Sequence, residues 1–119
     1  MRRSSTVVAV DVVVHRQTVD GWCVLVVAGE LDVVGGPQLR QQVHSAVGDG
    51  CRRLVLDLSG VSFIDSFGLG VVVGALKRVR QRDGQLEIVV TETRVRRVFE
   101  ICDLDQVLSL HSTIEQAVG

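Results

Sequence analysis

Short valine-rich runs with the two-residue rhythm of strands alternate along this chain with segments of helical period, and that alternation limits the fold more than any other feature. Val8, Val10, Val12 and Val14 occupy every second position of the stretch Val7–Gln17, with Val7 and Val13 beside them, which predicts a strand with one well-buried face. Gln17-Thr18-Val19-Asp20-Gly21 carries an Asp-Gly turn signal, and Trp22–Ala28 is apolar throughout, so the second strand should return antiparallel as a hairpin. Gly35-Gly36-Pro37 then breaks the strand pattern. Proline suits the start of a helix, where the amide it lacks would have had no partner. Leu39, Val43, Ala46 and Val47 follow at helical spacing until Gly48 and Gly50 stop the helix.

The same logic continues to the end of the chain. Leu54–Leu58 is a short apolar run that suits a central strand buried on both faces. Leu69, Val72, Val73, Leu76 and Val79 predict a second helix over Phe67–Arg82, with Lys77, Arg78, Arg80 and Arg82 crowding the end where cations complement the helix dipole. These cations read first as a solvated helix end. Asp83-Gly84 turns into a strand at Leu86–Val90, and Val95, Val98, Phe99 and Cys102 mark a third helix. Gln106–Leu110 and Ser112–Val118 read as a last strand and helix. The expectation is an α/β fold of order β-β-α-β-α-β-α-β-α: a mixed, mostly parallel sheet of about five strands, an N-terminal hairpin at one edge and about four helices. It fills one domain over residues 1–119, with residues 1–5 expected as a flexible N-terminus.

Composition narrows the function. Twenty-six valines stand against three phenylalanines, one tryptophan and no tyrosine, so there is almost no platform for stacking single-stranded nucleic acid. Thirteen basic and fourteen acidic residues give a net charge of −1, without the electrostatic footprint of a DNA or membrane-surface binder. The longest charge-free stretch, Ser66–Leu76, has 11 residues, short of the roughly 20 that a spanning helix needs. The Met1-Arg2-Arg3 start lacks the apolar core and cleavage site of a secretory signal, and a cytoplasmic protein is expected. Cys23, Cys51 and Cys102 form an odd set without a CxxC pair, which predicts free thiols in a reducing compartment, packed as small hydrophobes, with Cys102 on the apolar stripe of its helix.

Chemistry should concentrate at Val61–Gly70, which joins the central strand to the second helix at the carboxyl end of the sheet. Ser66 is the natural N-cap there, and Gly68 and Gly70 leave the backbone bare enough for another molecule to approach. Two readings stand side by side: a serine that only caps its helix, and an accessible hydroxyl with a task. By chain position Asp32 and Asp65 read as readily as turn and cap residues as carboxylates that orient the hydroxyl or contact a partner, while Asp57, inside a strand, suits a structural hydrogen bond. The chain has no GxxxxGK[ST] phosphate loop, GxSxG elbow or HExxH pair. Gly68-x-Gly70-x-x-x-Gly74 departs from dinucleotide-loop spacing, and His15, His44 and His111 are scattered. No metal, cofactor or catalytic residue is expected.

These residues resemble the STAS domain family and, within it, the bacterial anti-sigma factor antagonists. The resemblance rests on Gly29-Glu30-Leu31-Asp32, on Leu54-Val55-Leu56-Asp57-Leu58-Ser59-Gly60-Val61-Ser62-Phe63-Ile64-Asp65-Ser66, and on Gly68-Leu69-Gly70 beyond it. Val95-Arg96-Arg97-Val98-Phe99 with Leu104 also looks like that family's third helix and following loop. It implies a protein that is a substrate and switch, not an enzyme. By that resemblance the unmodified form would bind an anti-sigma factor that is also a serine kinase and so free the sigma factor, and phosphorylation at Ser66 would end that binding until a phosphatase restores the hydroxyl. Asp32, Asp65, Phe67 and Gly68 would then meet the partner. One departure concerns Phe67, where the family often has serine or threonine; the ring would anchor the partner, tune kinase selectivity or pack inward. The alternative is a STAS interaction or ligand-binding module in a sensory assembly that works without phosphorylation. A nucleotide-hydrolysing enzyme is a third class, which the missing phosphate loop disfavours.

Overall fold

The computed structural model describes residues 12–119, so Val7, Val8 and Val10 of the first expected strand and the expected flexible stretch 1–5 lie outside the described residues. Strand β1 (Val12–Val19) turns through Asp20-Gly21 into β2 (Trp22–Leu31). Both turn residues have positive φ, 50° and 82°, which matches the strand twist and explains the Asp-Gly pair. Helix α1 (Gly35–Gly48), β3 (Arg53–Ile64), α2 (Ser66–Arg80), β4 (Gln85–Val89) and α3 (Thr93–Ile101) follow. A 3-10 turn (Leu104–Gln106), β5 (Ser109–His111) and α4 (Ile114–Val118) complete the chain. The element order is the expected one, with the last strand later and shorter than Gln106–Leu110. Gln106 is drawn into the 3-10 turn, which the Leu108 N–H closes on the Leu104 carbonyl at 2.8 Å.

The strands lie side by side in chain order, β1-β2-β3-β4-β5, with β1 antiparallel to β2 and every other pair parallel. Side chains alternate between two faces, and each face has its own apolar layer. Leu25, Val27, Leu54, Leu56, Leu58 and Ile88 pack with residues of α1, α2 and α3. Trp22, Val24, Val55 and Val89 pack with Ala117 of α4 on the other face.

Strand β3 is 12 residues long, but β4 pairs only with Arg53–Asp57, so its last half runs on beside β2 alone. The β2/β3 register slips twice there, and buried Asp57 accepts the Ser59 N–H at 3.0 Å beside the first slip. The structural role expected of Asp57 is what this bond provides. The slips let β3 bend and carry its end past the sheet toward α3.

Two expectations about cysteine are corrected. Cys23 and Cys51 form a disulfide with Cα atoms 6.2 Å apart, rather than two free thiols. Their spacing in sequence conceals that β2 and the loop entering β3 are spatial neighbours. Cys102 is free but exposed, because it lies at the C-cap of α3, one residue past the last turn of the apolar stripe. No helix among the described residues is long and apolar enough to cross a membrane.

Candidate functional site

Two loops leave the same end of the sheet, β2 to α1 and β3 to α2, and the pairing of their strands sets them side by side. Leu31 is in register with Ile64, and the Asp65 N–H donates to the Leu31 carbonyl at 3.2 Å. Asp32 and Asp65 therefore emerge from adjacent strands, whose axes lie about 4.8 Å apart. Each carboxylate starts a helix. Asp32 accepts the N–H groups of Val34 at 3.0 Å and Gly35 at 2.8 Å, and these bonds, Gly35 foremost, hold its carboxyl below the usual carboxylate range. Asp65 Oδ1 accepts the Gly68 N–H at 3.0 Å.

Asp65, not Ser66, is thus the N-cap of α2, which corrects the sequence expectation. Both residue types cap well, and the choice falls to whichever occupies the last extended position; Asp65 does, with φ −115° and ψ −171°. Ser66 becomes the first helical residue and is exposed. The cap task is filled by its neighbour, so the Ser66 hydroxyl stands at an accessible helix start.

Phe67 turns toward α1. A Cβ at Gly36 would lie 2.8 Å from its ring, and the Arg40 guanidinium sits 5.8 Å from the ring centroid. Of the three roles open to Phe67, packing against its own fold is what these contacts describe, with the residue still 36% exposed. Gly68 is buried, and a side chain there would run into the Leu31 carbonyl and come within 2.9 Å of Ile64 Cγ1. What approaches its bare backbone is the neighbouring loop. Gly70, by contrast, is exposed with nothing near the position of a Cβ.

The surroundings are apolar and open. Val33, Val34, Phe63, Phe67 and Ile101 are five of the seven large hydrophobics exposed among the described residues. The first four sit within four residues of Asp32 or Asp65. Ile101 and Phe63 both line a groove of about 380 Å³, together with Val98, Arg94 and Arg97. Sequence reasoning did not single out Phe63, Val33 or Val34; their apolar character at a polar loop end was the available signal. No group of three or more His, Cys, Asp or Glu among the described residues is placed to hold a metal.

Comparison with known proteins bears on the same region. The STAS domain profile matches residues 12–117. The chain is 35% identical over 102 residues to an anti-sigma-B factor antagonist of Staphylococcus aureus (strain NCTC 8325 / PS 47), covering 86% of this chain and 94% of that one. Its backbone superposes on an anti-sigma factor antagonist from Mycobacterium paratuberculosis with a TM-score of 0.84 at 30% identity, over 94% of this chain and 96% of the other. The anti-sigma factor antagonist SpoIIAA in its unphosphorylated form gives 0.74 at 25% identity, over 89% and 93%. A profile match across both sheet faces, a long pairwise alignment and a shared backbone agree, and the chain belongs to the STAS domain family.

Proposed function

We propose that this chain is an anti-sigma factor antagonist whose docking is controlled by phosphate on Ser66. The observation that carries the reading is an exposed hydroxyl at the head of α2, ringed by exposed apolar side chains and flanked by two carboxylates already committed to their helices. A protein surface can close over such a ring, and burial of its apolar rim favours association. Similarity to anti-sigma factor antagonists supports the function class, and the unphosphorylated form of SpoIIAA supports a phosphate switch. The partner would be an anti-sigma factor with serine kinase activity, and a phosphatase would reverse the step.

Phosphate adds about −1.5 to −2 charges at pH 7 next to Asp65 and Asp32. Within the fold, the helix start tolerates an anion through its amides and dipole. Across an interface the effect is different. A partner carboxylate about 4 Å away would be repelled by roughly 4 kcal/mol per unit-charge pair at an effective dielectric near 20, before salt screening. That is about a thousandfold in affinity.

The test is incubation with the cognate anti-sigma kinase and ATP, followed by intact-mass analysis and peptide mapping. One added phosphate at Ser66 is expected; none, or one elsewhere, removes the switch. In binding assays Ser66→Asp should bind the anti-sigma factor about a thousandfold more weakly than Ser66→Ala. Equal affinities would favour a phosphorylation-independent interaction module instead.

A further inference from the structure

Behind Ser66, helices α1 and α2 share a sheet face and meet where the Phe67 ring and Val71 pack against Gly36. Between α1 and α2 runs a cleft of about 180 Å³, with Arg40 and His44 on one wall and Arg78 on the other. Buried Val43, Val71 and Ala75 lie at its base, while exposed Gly70 and Gly74 line it from α2, where a Cβ at either would touch nothing within 4 Å. These glycines therefore differ from Gly36 and Gly68, where a side chain would collide with a ring or a carbonyl. Glycine is among the least favourable residues in a helix interior, and no steric demand of the fold accounts for these two. Their effect is to keep the cleft open.

The cleft is cationic and unneutralised. The salt bridges among the described residues join Arg16 to Asp49, Arg96 to Glu100 and His111 to Glu87, and none uses Arg40 or Arg78. Partial desolvation, then the Arg78 and Arg40 charges, hold His44 below the usual imidazole range, as expected where positive groups face each other without a counter-charge. Phe67 lies under the Arg40 guanidinium and helps to fix it at the cleft mouth. Ser66, Gly70, Gly74 and Arg78 follow one another at four-residue steps on α2, each step about 6 Å along the axis. A surface that covers Ser66 therefore continues naturally into the cleft.

We propose that the cleft between α1 and α2 receives a carboxylate side chain of the protein that docks over Ser66, held between Arg40 and Arg78 with His44 beside them. The identity of the occupant rests on the docking read above; the anion preference of the cleft does not. Charge complementarity selects an acidic group, and the small volume selects one side chain rather than a bulky ligand. The pairing would be an attractive contact one turn and more from the hydroxyl, so it would set affinity in the unmodified state while phosphate on Ser66 sets the switch.

The test uses the full 15N-labelled chain without kinase or partner, titrated at constant ionic strength with an end-blocked tetraglutamate peptide and, separately, with inorganic phosphate. Saturable shifts of the Gly70 and Gly74 amides are expected with the peptide. Arg40→Gln/Arg78→Gln should weaken its binding at least about tenfold. Gly74→Leu, which puts a bulky side chain on the cleft wall, should abolish it while the helix content stays unchanged. Peptide binding that survives both variants overturns the proposal, as do shifts centred on Arg94 and Arg97. Phosphate that binds as tightly as the peptide also overturns it, because the cleft would then be a free-anion site. Failure here leaves phosphorylation of Ser66 standing, and failure of phosphorylation leaves the titration unaffected.

Discussion

The two ends of the sheet are built on different principles. Where β2 and β3 begin, the chain is fastened: Cys23 is bonded to Cys51, and Arg16 of β1 meets Asp49 beyond α1 at 3.0 Å. Where the same strands end, nothing covalent joins them. Asp32 and Asp65 each hold a helix start, Gly68 lets α2 rest on Leu31, and apolar side chains face solvent. The fastened end can keep the strands in register while the open end leaves its apolar surface facing solvent, as the proposed docking requires. Uncommitted groups are affordable at one end because the other is closed.

Changes at the two ends should therefore separate stability from docking. The largest stability loss is expected from opening the disulfide. The bridge spans 28 residues, and the chain-entropy estimate for loops of that order lies between about 3 and about 4.7 kcal/mol. Denaturation of Cys51→Ser, or of reduced protein, followed by circular dichroism should show that loss with binding at Ser66 retained in the folded fraction. A loss below about 1 kcal/mol would mean that the fastening is not what holds this end. Next comes Gly68→Ala at the open end. Its methyl group meets the Leu31 carbonyl, and overpacking of that kind costs about 1–3 kcal/mol. It should also disturb docking, because the two loops must separate.

Asp65→Ala removes the cap of α2 and should cost about 1 kcal/mol in the same denaturation experiment, with Ser66→Ala costing distinctly less. Equal costs would return the capping role to Ser66. The smallest effect concerns acid. Asp32 has a depressed folded-state carboxyl, so its contribution is present above the unfolded value and is lost as pH falls through the folded one. Thermal midpoints of wild type and Asp32→Ala should accordingly converge in acid and separate toward neutrality. A constant gap would assign the effect to geometry alone.

The periodicities that mark strands and helices are local, and so is the Asp-Gly turn, which is why the element order and the hairpin could be read from residues alone. The candidate site was legible as a motif at Asp65-Ser66, within the STAS resemblance. Facts that depend on two distant segments meeting were not legible. Cys23 and Cys51 are separated by a helix, and only parallel pairing of β2 with β3 brings them together. The cap fell to Asp65 because of a one-residue shift in where the helix begins, finer than hydrophobic spacing can resolve. Gly68 and Gly70 look alike in sequence, yet one is pressed against Leu31 and the other faces empty space. That distinction exists only once β2 lies beside β3.

The position of Trp22 has a practical consequence. It is the one tryptophan of the chain, it opens β2 with the Arg53 guanidinium 4.7 Å from its ring centroid, and it packs on the α4 side of the sheet. Leu31, at the other end of that strand, is nine residues away, about 30 Å in extended chain. Intrinsic fluorescence will thus register loss of the folded state but stay silent toward the docking proposed over Ser66, so an optical assay of that docking needs a reporter introduced at the far rim.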